Sequence, residues 1–241
     1  MLNKALVTGS AKGLGRAIAL DLASKGFNVA FHYNRSEDAA KQACEEARTY
    51  GVKAIALQAD VTNSDQAKSL VENAADRLGG LSVLVNNVGN YSQEENITSK
   101  VSIQDWHDIL DSNLNATFYV TREAIPHLQK AGSGRIVNFA CASAQNLMAR
   151  RINTPYIIAK TGIIIYTKSL AKELIPDKIT ANLIAPGIAE NSFDVEEITP
   201  TLPLKRPATL QEIVGAAWFF ISPEAEYITG QVLEVSGGWF L

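Results

Sequence analysis

The segment NTPYIIAK, residues 153–160, places Tyr156 and Lys160 four residues apart. On an α-helix that spacing stacks the phenol and the ammonium on one face. A phenol has an unperturbed pKa of about 10, and a neighbouring ammonium favours its charged form, so the pair could move a proton. The same spacing also arises by chance on an amphipathic surface helix. The surrounding chain has to decide between the two.

A second candidate site is the run VTGSAKGLGRAIA, residues 7–19. It follows a β-rich run and opens a helical one. Gly9, Gly13 and Gly15, with Ser10, Lys12 and Leu14 between them, would bring backbone up to a pyrophosphate at a helix N-terminus. The spacing is GxxxGxG, which departs from the GxGxxG fingerprint, and a purely structural tight turn is the alternative. The next β-rich run ends in FHYNRS, where a dinucleotide fold selects its cofactor. An acid there would bind a ribose 2′-hydroxyl and repel a 2′-phosphate. This chain has Asn34, Arg35 and Ser36 instead, with no acid before Glu37. Guanidinium and hydroxyl donors suit a phosphate, and Lys12 adds a second cation, so NADP(H) is expected over NAD(H). A solvated loop with an incidental arginine is the bland alternative.

The elements that would position these residues alternate along the chain. Strand-like runs are KALVTG, NVAFHYN, KAIALQAD, LSVLVNN, GRIVNFA, KITANLIA and QVLEVSGG, and helical patterns cover 14–26, 38–50, 64–79, 103–130 and 155–175. The strands are nearly continuous apolar runs, as expected where helices cover both faces of a sheet. The pattern predicts an α/β, Rossmann-type, doubly wound sheet of about seven parallel strands as one domain over residues 1–241. Residues 189–203, with acids and prolines and no strand pattern, are expected to form a mobile loop.

Hydrophobic residues make up 46% of the 241 and charged residues 20%, an ordinary globular balance. A net charge of −3 advertises no nucleic-acid or anionic-membrane face. No apolar run approaches the roughly 20 residues of a membrane span. Cys44 and Cys141 make no disulfide framework, and His32, His107 and His127 no zinc pattern, so no metal is expected. Strand-like sequence beginning at Lys4 leaves no room for a secretory leader. The glycosylation-like triplets at Asn34, Asn96 and Asn115 therefore carry little weight, and a reducing cytoplasm is the expected setting.

Taken in order, TGSAKGLG, NNVG at 86–89, YIIAK, IAPG at 184–187 and YITGQVLEVSGGW resemble the motifs of the short-chain dehydrogenase/reductase family. The likeness runs from Lys4 to about Trp239 and is closest to the β-ketoacyl-acyl-carrier-protein reductase-like branch. HYNRS is also similar to a stretch of pteridine reductases. The resemblance implies that Tyr156 donates a proton to a carbonyl as hydride arrives from the nicotinamide. Lys160 would lower the tyrosine's pKa and hold the nicotinamide ribose, so both residues also border the cofactor. Asn113, in DSNLNATF, would hold a relay water. Asp60 would contact the adenine, Val61 and Asn87 would line the adenosine side, and Asn86 through Gly89 would both brace the sheet and leave room for the cofactor. Pro186 and Gly187 would border the nicotinamide, with Ile188 offering backbone to its carboxamide.

The family also carries a serine that holds the substrate oxygen. Counting back thirteen residues from Tyr156 reaches Ser143, whereas counting forward from GRIVNF reaches Cys141. Ser143 is favoured because a thiol is the poorer donor. Other departures are Val88 in place of the NNAG alanine, a long polar loop at 90–106, Asn191 after the PG motif and a short lid from Pro186 to Pro203. The basic stretch ARR at 149–151 could meet an anionic substrate or carrier, or be a solvated turn. Helix 155–175 is apolar around most of its circumference, and with GGWFL it could pack against another subunit; the family resemblance implies a homotetramer or homodimer.

The resulting expectation is an NADPH-dependent reductase acting on a small or carrier-bound carbonyl, and the resemblance implies a 3-oxoacyl thioester. A pteridine or other carbonyl or imine reductase is one alternative, for which Tyr91 could be a stacking partner. A binding-only NADPH sensor is the other.

Overall fold

The computed structural model describes residues 3–92, 97–193 and 195–240. Asn96 of its glycosylation-like triplet, Gln93–Glu95 of the polar loop, Asp194 of the lid and Leu241 of the C-terminal tail lie outside the described residues. All seven strand-like runs form strands: β1 (Lys4–Val7), β2 (Asn28–Tyr33), β3 (Ala54–Gln58), β4 (Val83–Asn86), β5 (Gly134–Phe139), β6 (Ile179–Pro186) and β7 (Val232–Val235). They pair in the order β3-β2-β1-β4-β5-β6-β7, every neighbour parallel. The helices are α1 (Gly13–Ser24), α2 (Glu37–Arg48), α3 (Ser64–Leu78), α4 (Ile103–Leu110), α5 (Ala116–Lys130), α6 (Thr154–Glu173), α7 (Val195–Ile198) and α8 (Leu210–Ile221).

Strand alternation sends side chains to two cores. Ala5 and Val7 pack with Ile18, Leu22, Ile213 and Phe220 of α1 and α8. Leu6 packs on the other face with Leu70, Leu78, Val120, Leu128 and Leu170 of α3, α5 and α6. The sheet is thus doubly wound, as the sequence pattern predicts. Local signals fix the helix ends. Asn63 Oδ1 accepts from the Asp65 and Gln66 amides at 3.0 Å and caps α3, an arrangement that contributes roughly 1 kcal/mol. Thr209 and Glu212 form a reciprocal capping box at α8.

Two local expectations differ from the structure, and one helix lies outside them. The helical pattern over 103–130 is two helices separated by a π turn, Asp111–Asn115. Residues 189–203 are not irregular throughout, because they contain α7 and the 3₁₀ turn Thr199–Thr201. Helix α8 carries no clear helical period, because LQEIVGAAWFFI is apolar nearly throughout.

Candidate active site

The strand order reverses between β1 and β4, and ligands of open parallel sheets bind outside the carboxyl ends at such a point. The turn after β1 and the NNVG segment after β4 face each other there. Gly9 N–H donates to His32 Nδ1 at 2.9 Å, and His32 Nε2 lies 3.1 Å from Ala59 O. The ring must therefore carry its proton on Nε2, and burial lowers its pKa, which keeps it neutral. Asn87 donates through Nδ2 to the carbonyls of Thr8 and Gly9 at 3.1 and 3.2 Å, and Thr8 Oγ1 accepts from the Asn87 amide at 2.9 Å. Gly15 sits so close beneath this turn that a Cβ on it would meet Gly9 O and come within 2.5 Å of Asn87 Nδ2.

These contacts refine several sequence-based roles. Ser10 is fully buried, its Oγ donating to Val7 O at 2.7 Å and accepting from the His32 amide, while its own amide donates to His32 O. It shapes the turn from beneath and has no donor left for a ligand. Leu14 likewise packs on the core. Asn87 spends its amide on the turn instead of the adenosine side. Thr8 and His32, absent from the candidate residues, do the bracing. The signal for His32 was a polar residue inside an apolar strand.

On the open side, Gly9, Ala11, Lys12, Asn34, Arg35, Ser36 and Asn90 line one crevice of about 430 Å³, of which Gly13 is not a lining residue. Neither Lys12 nor Arg35 is ion-paired among the described residues, whereas Glu37 is drawn onto its own helix by Lys41 at 2.7 Å. Two cations and no opposing carboxylate suit a phosphate. Asp60 holds a turn, Oδ1 accepting from the amide and hydroxyl of Thr62 at 3.0 and 2.7 Å, and Val61 is buried. Pro186 O accepts from the Ala142 amide and Gly187 N–H donates to Val235 O. Ile188 O accepts from Ala208, leaving the Ile188 N–H without a hydrogen bond among the described residues.

The catalytic candidates converge around Gly89. A Cβ there would collide with Asn113 Oδ1 and stand 3.1 Å from Lys160 Nζ. Asn113 lies in the π turn, fully buried, its Nδ2 donating to Asn90 O and Ile109 O at 2.8 and 2.9 Å. Its Oδ1 has no hydrogen-bond partner among the described residues. Lys160 donates to Phe139 O at 3.2 Å and lies 5.4 Å from the Tyr156 ring centroid. Tyr91 meets Tyr156 edge-on at 5.0 Å, its hydroxyl receiving a 2.6 Å bond from Asn153 Nδ2.

The electrostatics differ from the sequence expectation for Tyr156. Burial dominates and pushes its phenol well above the usual range, with the Cys141 and Tyr91 groups adding to the rise and Arg150 opposing it. Burial also lowers Lys160 to about 8. Burial therefore sets the direction of the tyrosine's shift in the free protein, opposite to the lowering expected from Lys160.

Ladder bonds from Ala140 to Ile184 and from Ala142 to Pro186 continue regularly past β5, so the strand does not bulge. The extra length lies in the following loop, where Ser143, Leu147 and Asn153 all adopt left-handed φ values of 69°, 51° and 56°. Non-glycine residues held there cost roughly 1 kcal/mol or more each, which marks a loop fixed by its surroundings. Of the two serine-slot candidates, the forward count from the strand therefore holds and gives the slot to Cys141, correcting the expectation of Ser143, which falls in the lengthened loop. Cys141 is half-buried with its thiol raised by burial and opposed by Lys160 and Arg150. Ser143 is buried, and its Oγ accepts from Arg150 Nη2 at 2.7 Å.

No group of His, Cys, Asp and Glu among the described residues could hold a metal, and no helix is long and apolar enough to cross a membrane. A family model described as enoyl-(acyl carrier protein) reductase matches residues 9–240. The 3-oxoacyl-[acyl-carrier-protein] reductase FabG of Staphylococcus aureus (strain N315) is 36% identical over 248 aligned positions, covering 100% of this chain and 99% of that protein. The 3-oxoacyl-[acyl-carrier-protein] reductase of Synechocystis sp. is 36% identical over 240, covering 97% and 95%. A short chain dehydrogenase from Burkholderia cenocepacia J2315, solved in complex with NADP, superimposes with a TM-score of 0.90 at 28% identity, covering 98% of this chain and 97% of that one. Acetoin dehydrogenase YohF from Salmonella typhimurium gives 0.89 at 31%, covering 99% and 96%. Sequence motifs, sheet order, and the grouping of Tyr156, Lys160 and Asn113 at the switch-point crevice agree with these matches: the chain belongs to the short-chain dehydrogenase/reductase family of oxidoreductases.

Proposed function

We propose that the protein reduces a carbonyl to an alcohol with NADPH, and that its substrate is a 3-oxoacyl thioester. The observation that carries the reading is the placement of Asn113 and Lys160 against Gly89, with the Tyr156 ring 5.4 Å from the same ammonium. The Staphylococcus and Synechocystis relatives, named for 3-oxoacyl-[acyl-carrier-protein] reduction, support the substrate class. The residues fit the cofactor: glycine allows close backbone approach, and Lys12 and Arg35 stand unpaired where a 2′-phosphate would lie. When bound, NADPH supplies the hydride.

The chain's own residues do the rest. Tyr156 is a neutral phenol at pH 7 and gives its proton to the carbonyl oxygen. Lys160, with a pKa of about 8, is largely protonated at that pH and takes up the negative charge left on the phenol. The unpartnered Asn113 Oδ1 accepts from the water that returns a proton. With the ladder unbroken through Ala142, the carbonyl-facing slot falls to Cys141, whose thiol is a poor donor, so Tyr156 carries most of the polarisation of the carbonyl. Tyr91 is engaged edge-on with Tyr156, a geometry that does not favour a flat stacking platform for a pteridine.

The test is loss of NADPH absorbance with acetoacetyl thioester, run beside NADH. Turnover with NADPH, at a kcat/KM at least about 10-fold above NADH, is expected from a site with two free cations and no acid. Equal use of the two cofactors would sink the 2′-phosphate assignment, and turnover of small diketones but no thioester would sink the substrate class.

Assembly follows from the same helices. Ile158 and Ile165 on α6 are 42% and 62% exposed, and Phe118 on α5 is 41% exposed. We propose that these faces associate between copies, in a dimer or tetramer. Light scattering should give a mass of two or four chains, and Ile165→Glu should shift it downward. A monomeric mass for the unaltered protein would refute this.

A further inference from the structure

Asn153 opens α6 without capping it. An asparagine at a helix N-terminus ordinarily has extended backbone, and its side-chain oxygen accepts from amides of the first turn. Here φ is 56°, in the left-handed region, and the side chain makes no bond to the helix. The residue is only 6% exposed, and a buried amide is costly unless it is hydrogen-bonded. Its Nδ2 donates to the Tyr91 hydroxyl at 2.6 Å, while its Oδ1 has no partner among the described residues. A cap has been given up for a tie to the segment after β4.

That segment touches each catalytic candidate in turn. Gly89 lies against Asn113 and Lys160, and Asn90 O accepts from Asn113 Nδ2 at 2.8 Å. The Tyr91 ring then meets the Tyr156 ring at 5.0 Å and 84°, the edge-to-face geometry that aromatic quadrupoles favour. Tyr156 lies in the first turn of α6, the part of a helix most prone to fray. The ring torsion of a tyrosine is broad, so its neighbours decide where the hydroxyl points. Since the carbonyl-facing slot holds only a thiol, the direction of that hydroxyl matters the more.

We propose that Tyr91 is a positioning residue of the reaction, acting through Tyr156. Asn153 pins the Tyr91 hydroxyl, and the Tyr91 ring fixes the plane of the catalytic phenol so that its proton faces the substrate's carbonyl oxygen. This rests on the reading of Tyr156 as the proton donor. The ammonium of Lys160, 5.4 Å from the Tyr156 ring centroid, is set by α6 itself, whereas Tyr91 ties that ring to the sheet.

The experiment is a kinetic series in the full-length protein with Tyr91→Ala, Tyr91→Phe, Asn153→Gly and the last two combined. Glycine takes the left-handed φ without strain, so Asn153→Gly removes the amide and keeps the backbone. Tyr91→Ala should lower kcat about 10-fold or more, with KM for NADPH changed less than about 2-fold. Tyr91→Phe keeps the ring and should recover most of that loss, leaving kcat about 3-fold down. Asn153→Gly should match it, and the pair should fall no further than either alone, because both remove one bond. An unchanged kcat in Tyr91→Ala, or losses that multiply in the pair, would overturn the proposal.

A readout independent of turnover separates this from the substrate reading. In protein labelled with 3-fluorotyrosine, the fluorine signal of Tyr156 is identified by its loss in Tyr156→Phe. It should shift in Tyr91→Ala, where the neighbouring ring is gone, and broaden in Asn153→Gly, where that ring is no longer pinned. If the unaltered protein ignores the thioester, the substrate reading fails, and the series is run on whichever carbonyl of a wider panel it reduces. If it reduces none, the fluorine signal decides: a Tyr156 line that is the same in all three proteins removes the brace and the proposal with it.

Discussion

Tyr156→Phe lowers kcat for carbonyl reduction by roughly 10³-fold or more and leaves NADPH bound, as loss of the sole general acid implies. The expectation follows from protonation states. Burial holds the phenol neutral at pH 7, and Lys160 at about 8 is mostly ammonium there. The site is therefore charged with one transferable proton on the tyrosine and one cation beside it to receive the resulting charge. Phenylalanine keeps the ring, its edge contact with Tyr91 and its place over Lys160, and it removes only the hydroxyl. Stability should change by less than about 1 kcal/mol, since among the described residues no hydrogen bond from the hydroxyl holds the fold together. Steady-state kinetics with a fluorescence titration of NADPH checks both parts. Residual kcat above about a tenth would mean that another group supplies the proton.

The second large effect comes from adding a single methyl group. Gly89→Ala should lower kcat about 100-fold or more, because a displacement of about 1 Å at a catalytic centre has that consequence. The new Cβ would collide with Asn113 Oδ1 and crowd Lys160 Nζ at 3.1 Å. A flexible surface side chain would swing away at little cost. Asn113 cannot, since it is fully buried and its Nδ2 is held by two carbonyls, Asn90 O and Ile109 O. Either the asparagine leaves those bonds or α6 moves with its lysine. Thermal melting should fall by only a few degrees while kcat collapses. An alanine variant with near-normal kcat would show that Asn113 and Lys160 need not be held this close.

The sheet and the core of the site were legible because their signals are local. Seven apolar runs of strand length stand out from the chain, and Tyr156 with Lys160, Asn113 and the glycine turn each sit in a recognisable string. What escaped depends on contacts between distant segments. His32 reads as an odd polar residue in a strand until Gly9 and Ala59 are found on its two nitrogens. Ser10 reads as a ligand of the turn until its hydroxyl and amide prove to be spent inside the protein. The loop from Ala140 to Asn153 has two residues more than either end predicts. Only the regular ladder through Ala142 shows that the surplus lies beyond the strand. The π turn around Asn113 is invisible to a periodicity of 3.6, since a single wide turn shifts the phase without breaking the helix.

The neighbouring positions of β1 and β4 bear on how the molecule is made. Ala5 pairs with Val83 and Val7 with Val85, and Ser82 Oγ accepts from the amides of Asn3 and Lys4 at 3.1 Å. The nucleotide crevice lies across this seam, so a nascent chain cannot form it until β4 has emerged from the ribosome and found a partner made much earlier. Closing so distant a pairing is entropically slow, and β1 must wait with an unpaired edge meanwhile. A nucleotide present during synthesis would capture the seam once it closes and draw the folding equilibrium forward by mass action. The yield of active protein in a cell would then track its supply of nucleotide during translation as well as the rate of synthesis.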